Sequence, residues 1–150
     1  IEDALLPALE EMLAAYPRAR VVWCHLAQIR YQERSAVYGP AYVRRLLDKH
    51  PGLFIDTAFG DASSAYPPSG QRHARVWDDR GKVRSQWVEL INDHPWRFLA
   101  ALDLGPDRMN ELEKKVHTLR TFLAALAPDA RRIVAHAAAW KLLFGEDVDV

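Results

Sequence analysis

Three short apolar runs, separated by stretches of helical spacing, constrain this chain more than any other feature. Residues 20–26 (RVVWCHL), 53–58 (LFIDTA) and 97–103 (RFLAALD) are rich in β-branched, aromatic and aliphatic side chains. Runs this short, bounded by turn residues, read as strands. The third ends on one carboxylate, Asp103, before Gly105-Pro106, and reads as a strand buried on both faces. Between the runs lie helix-length segments. Strands joined through helices run parallel, because a crossover of that length returns the chain to the same end of the sheet.

The helical segments are set by apolar spacing and by their stops. Residues 1–16 place Leu5, Leu6, Leu9, Met12 and Leu13 on one face, and Pro17 ends them. Gly39-Pro40 opens a helix over 41–50 that buries Val43, Leu46 and Leu47. A third spans 82–92, with Val83, Trp87, Leu90 and Ile91 inward. A fourth spans 108–126 and buries a stripe from Met109 and Leu112 to Phe122 and Leu126. The last begins at Pro128-Asp129 and runs to Phe144, where Gly145 is the expected C-terminal cap. Residues 60–70, rich in Ser, Pro and Gly, read as a surface loop, with 61–70 a candidate lid or partner contact. The resulting order, α-β-α-β-α-β-α-α, is α/β with about three parallel strands and five helices. That is too little for a closed (β/α)₈ barrel of about 250 residues, so the expectation is part of a barrel.

Composition excludes some functions. Lys+Arg and Asp+Glu are 20 each, which removes the broad electrostatic case for nucleic acid or an anionic membrane. No apolar run approaches a membrane span. A single cysteine, Cys24, cannot form an internal disulfide or a multi-cysteine zinc site, and it fits a reducing, cytoplasmic setting.

An acid where a buried strand stops serves the core poorly, since an unpaired buried charge is costly. It serves a site at the carboxyl ends of parallel strands, where α/β proteins keep their chemistry. His25 stands at the corresponding end of the first run. A carboxylate and an imidazole on one rim suit metal binding and proton transfer. Asp56 is expected to hydrogen-bond a loop. Cys24 is expected as a buried filler, and His50 and His94 as helix caps complementing the dipole. His117 reads as solvated and His136 as structural, while nothing in its spacing gives His73 a role. The tryptophans Trp77, Trp87, Trp96 and Trp140 are expected to pack.

Tyr16-Pro17 before RVVWCH at 20–25, Pro51-Gly52 before LFID at 53–56, and Pro95-Trp96 before RFL at 97–99 and Asp103 form an ordered pattern. Together they resemble the C-terminal half of metal-dependent amidohydrolases. The branch most resembled holds aminocarboxymuconate-semialdehyde decarboxylase and related aromatic-acid decarboxylases and lactone hydrolases. Residues 130–144 (ARRIVAHAAAWKLLF) are similar to that family's last helix, with Ala138-Ala139 where an Asn-Ala pair is usual. The resemblance implies that residues 1–150 are the C-terminal portion of one barrel domain. It implies a metal-dependent hydrolase or decarboxylase of a small carboxylated substrate, aromatic acids included. His25 would match the strand-six histidine that polarises substrate or shuttles a proton. Asp103 would match the strand-eight aspartate that contacts the metal, with zinc the expected ion, and its water.

The chain departs from that pattern. The His-x-His pair and the mid-barrel ligands are absent, Ala101 replaces a usual glycine, and Leu26-Ala27-Gln28 stands where another is usual. His25 and Asp103 do not complete a zinc site, so the remaining ligands are expected on sequence outside this chain. The alternative is a non-catalytic, barrel-derived binding or assembly module. A small-molecule substrate is the expected partner. Open strand edges add an expectation of homo-oligomers.

Overall fold

The computed structural model describes residues 5–27, 37–58 and 76–148, together with the backbone of residues 65–66 and 71–72. Strands β1 (Val21–Trp23), β2 (Leu53–Asp56) and β5 (Phe98–Leu99) form one parallel sheet in chain order. Val21 lies opposite Leu53, and Ile55 opposite Phe98. The fold is therefore α/β around three parallel strands, as the alternation of runs predicts. Two short strands, β3 (Ala65–Tyr66) and β4 (Gln71–Arg72), pair antiparallel elsewhere. The candidate lid or partner contact over 61–70 otherwise lies outside the described residues, as does His73.

Helices α1 (Leu5–Ala15), α2 (Pro40–Lys49) and α3 (Ser85–Asp93) belong to the layer that covers one face of the sheet. Leu53 and Ile55 are fully buried in one cluster with Val43, Leu46 and Leu47 of α2 and Trp87, Leu90 and Ile91 of α3. The strand alternation sends Phe54 and Asp56 to the other face, where both are only half-buried. Gly52 stands at the turn between α2 and β2 because a Cβ there would meet the Ala19 carbonyl at 2.1 Å. The same close approach lets Val21 N–H donate to the Gly52 carbonyl at 2.8 Å, which opens the β1–β2 ladder.

Arg97 ties the turn before β5 to α2 and β2. Its guanidinium donates to the His50 carbonyl at 2.6 Å, to the Leu47 carbonyl at 3.4 Å and to the Leu53 carbonyl. It also lies over the Phe54 ring at 5.3 Å. Partial burial among neutral acceptors pulls its pKa down.

Helix α4 is Leu112–Ala124, preceded by a 3₁₀ segment, Pro106–Glu111. Helix α5 runs on through three stretches: Pro128–Arg132, a π-helical turn at Ile133–Ala137, and Ala138–Phe144. Gly145 caps it as expected, at φ 74°, its N–H on the Lys141 carbonyl at 2.9 Å.

Several expectations are corrected. The first strand stops at Trp23 rather than 26, and the third at Leu99 rather than 103. Helix α3 begins at Ser85, because Trp77 and Val83 pair across a turn in which Asp78 Oδ1 accepts the N–H groups of Arg80 and Lys82. Arg108, expected in α4, leaves helical geometry at φ −119°. Met109, Leu112, Leu5 and Met12 are exposed, so the buried stripes of α4 and α1 narrow to Phe122 and Leu126, and to Leu6 and Leu13. Trp77 and Trp87 are buried as expected, whereas Trp96 and Trp140 are 38% and 43% exposed.

His50 does cap α2, its N–H on the Leu46 carbonyl at 2.8 Å. It is buried, however, and its Nε2 has no hydrogen-bond partner among the described residues. Desolvation, reinforced by Lys49, lowers its pKa, while Glu10 works in the opposite direction. A neutral imidazole therefore replaces the expected cationic cap. The unfolded chain takes up this proton more readily than the folded one, so protonation favours unfolding. Stability is expected to fall as pH drops from about 6.5, the ordinary histidine value, toward the lowered value in the fold. His50→Gln should flatten that slope in urea melts between pH 7 and pH 5. An unchanged slope would show that another group controls it.

Candidate functional site at the carboxyl ends of the strands

The chain leaves β1 through a left-handed turn. His25, Leu26 and Ala27 have φ values of 59°, 54° and 55°, a conformation that costs non-glycine residues roughly 1–2 kcal/mol each. Three features hold it. Asp56 Oδ1, at the end of β2, accepts the His25 N–H at 2.7 Å and the Ala58 N–H at 3.0 Å. Tyr38 donates its hydroxyl to the Leu26 carbonyl at 3.0 Å. Leu26 and Ala27 are fully buried. Asp56 thus makes the loop hydrogen bonds expected of it, and in doing so places His25.

The His25 ring is anchored as well. Its Nδ1 is hydrogen-bonded to the Ala58 carbonyl. A carbonyl only accepts, so Nδ1 carries the proton and, in the neutral ring, Nε2 keeps its lone pair. Nε2 makes no hydrogen bond among the described residues, and the residue is exposed. A fixed tautomer with an outward Nε2 suits proton transfer or ligation.

Cys24 is exposed, contrary to the expectation of a buried filler, because the left-handed turn ends the strand's alternation at that residue. Partial desolvation, a hydrogen bond to Asp56 and the charges of Asp56 and Asp103 push its thiol up. The thiol therefore stays protonated at neutral pH and is a poor nucleophile.

Asp103 lies four residues beyond β5, at φ 49° and exposed. The strand stops early because its next amides are claimed from outside the sheet. Ala100 N–H donates to the Val134 carbonyl of α5 at 3.0 Å, and Ala101 N–H to the Thr57 hydroxyl at 3.3 Å. Asp103 pairs with Arg108, Oδ2 to Nη2 at 3.3 Å. That partner was missed because it sits five residues on, across Gly105-Pro106. The only sequence signal for it was an acid and a base flanking a turn. Asp103 is near enough to Cys24 for its charge to raise the thiol pKa. The rim thus brings Cys24, His25 and Asp56 together with Asp103 close by, although no hydrogen bond joins His25 to Asp103 among the described residues.

The described residues do not by themselves assemble a set of zinc ligands. Asp103 is engaged by Arg108, and the described residues contain no group of three or more His, Cys, Asp or Glu side chains placed to hold a metal. The other described histidines lie away from this rim. His94, the C-cap of α3, has its Nε2 3.5 Å from the Asp48 carboxylate of α2, and His117 and His136 are exposed. A groove of about 760 Å³ runs on the outer helical layer. Two of its cations are paired, Arg44 with Asp93 and Arg45 with Glu10. No helix among the described residues is long and apolar enough to cross a membrane.

No family model matches the chain, and no curated protein or solved structure matches it.

Proposed function

We propose that this chain is the C-terminal portion of a (β/α)₈ enzyme of the metal-dependent amidohydrolase kind, a hydrolase or decarboxylase of small carboxylated substrates. The observation that carries the reading is His25, with its backbone N–H clamped by Asp56, its Nδ1 on the Ala58 carbonyl and its Nε2 free of partners among the described residues. Such an imidazole donates or accepts a proton at a fixed point on the rim. Two further features support it. The strands follow one another in chain order, as neighbouring strands of a barrel do. One face of the sheet also leaves Val22 40% exposed and Phe54 half-buried, where a parallel sheet ordinarily has both faces covered. In this reading Asp103 supplies a carboxylate to the same rim. No step passes through a metal, because these residues do not hold one by themselves.

A second reading is a non-catalytic binding or assembly module. It is favoured by the hydrogen bond from Ala100 to Val134, which sets α5 against the outer side of β5 where a closed barrel would continue. It is favoured also by the Asp103–Arg108 pair, which neutralises the acid.

The two readings separate on a panel of small lactones and hydroxybenzoic acids assayed with the full-length protein at its native metal content. The enzyme reading expects turnover of carboxylated members and loss of turnover on their methyl esters. No turnover across the panel, with saturable binding of one member, would establish the second reading.

A further inference from the structure

A cavity of about 310 Å³ opens at the other end of the strands from His25 and Asp103. Its walls come from the residues that enter the strands and from α5. Arg20 precedes β1, Trp96 and Arg97 precede β5, Phe54 is the second residue of β2, and Lys141 and Leu142 lie on α5. Three cations therefore line one small space, and no carboxylate lines it with them. Arg20 and Arg97 are held by neutral carbonyls, whereas Lys141 is ion-paired with Asp147 at 2.5 Å. Arg20 donates Nη1 to the Leu142 carbonyl at 2.6 Å, which leaves its other donors without partners among the described residues. Arg97 is spent on carbonyls. Lys141 lies 5.1 Å from the centre of the Trp96 ring and reaches Asp147, the nearest acid, with one of its three donors. Two aromatic rings, Trp96 and Phe54, supply flat apolar walls, and each already faces a cation.

Arg20 and Lys141 present exposed donors beside the partly buried Arg97, and a bound anion would make charge-assisted hydrogen bonds to both. The volume is at the small end for ligand pockets and admits one substituted ring. We propose that this cavity is a binding site for a small aromatic anion, its phosphate or carboxylate on Arg20 and Lys141 over the Arg97 floor, its ring against Trp96 and Phe54. The site is separate from the His25 rim and does not depend on the activity assigned there.

Calorimetric titration of the protein tests this, with phenyl phosphate, benzoate, inorganic phosphate and benzyl alcohol as probes. Quenching of Trp96 fluorescence, identified by its loss in Trp96→Phe, reports the position. Saturation by an aromatic anion is expected, weakening with salt. Lys141→Gln and Arg20→Gln should each weaken it about tenfold while the protein stays folded by circular dichroism at the titration temperature. A folded spectrum for each variant shows that loss of binding does not reflect unfolding. A preference for phenyl phosphate or for benzoate assigns the anionic group. Three outcomes would each overturn the proposal: no saturation by either aromatic anion at about 10 mM, affinity untouched by both substitutions, or equal affinity for inorganic phosphate, which would leave the rings no role.

Discussion

His25→Asn is expected to lower turnover of a carboxylated substrate by about 10²- to 10⁴-fold, the usual range for losing a positioned acid–base group. The substitution is chosen because it spares the fold. Asn tolerates the left-handed region better than almost any residue but glycine, and position 25 sits at φ 59°. The backbone N–H that Asp56 holds is unchanged, and the Asn side-chain amide can still donate to the Ala58 carbonyl. What disappears is Nε2, the atom the proposed chemistry uses. The loss should therefore appear in kcat, with the thermal midpoint close to wild type. His25→Ala is the contrasting variant. It removes Nε2, but it also loses the anchor to Ala58 and the tolerance of positive φ, so both turnover and stability should fall. Wild-type kcat in His25→Asn would remove the imidazole from the reaction and overturn the role given to Nε2.

Arg97→Met should destabilise the protein by about 2–4 kcal/mol. The substitution keeps an apolar stem across Phe54 but removes a charged donor shared among the carbonyls of Leu47, His50 and Leu53. Hydrogen bonds to charged groups contribute about 1.5–3 kcal/mol, and acceptors left buried without a donor add their own cost. These carbonyls belong to the end of α2 and the start of β2, so their loss loosens helix, turn and strand together. In urea the midpoint should shift with little change in slope. Arg97→Lys should recover part of the loss, since an ammonium cannot span three acceptors with the planar fork of a guanidinium. A shift below about 1 kcal/mol in Arg97→Met would mean that solvent already satisfies these carbonyls.

The inward faces of α2 and α3 were legible because spacing alone decided them. Val43, Leu46 and Leu47, and Trp87, Leu90 and Ile91, repeat at three and four residues and meet the same sheet face. Strand ends were not legible, because groups distant in the chain decide them. The Asp56 carboxylate takes the amide of His25, and Thr57 and Val134 take those of Ala101 and Ala100. No local pattern in RVVWCHL or RFLAALD announces these partners. The exposure of Cys24 follows from the same long-range event, since alternation predicts its side only while the strand continues. His25 and Asp103 each follow a strand end, with Asp103 near enough to Cys24 for its charge to act there. Arg108 beside Asp103 was hidden by the Gly105-Pro106 turn, which brings position 108 back against 103.

The hydrogen bond between the first amide after β5 and the π-turn of α5 bears on how copies of this chain could grow into assemblies. A sheet polymerises only when both flanks accept a neighbour. Here one flank is met by a helix, and Val21–Trp23 forms the other. Joining two Val21–Trp23 flanks about a two-fold axis would leave no further described edge of this sheet for a third copy, so such pairing would terminate at a dimer instead of propagating into a fibre.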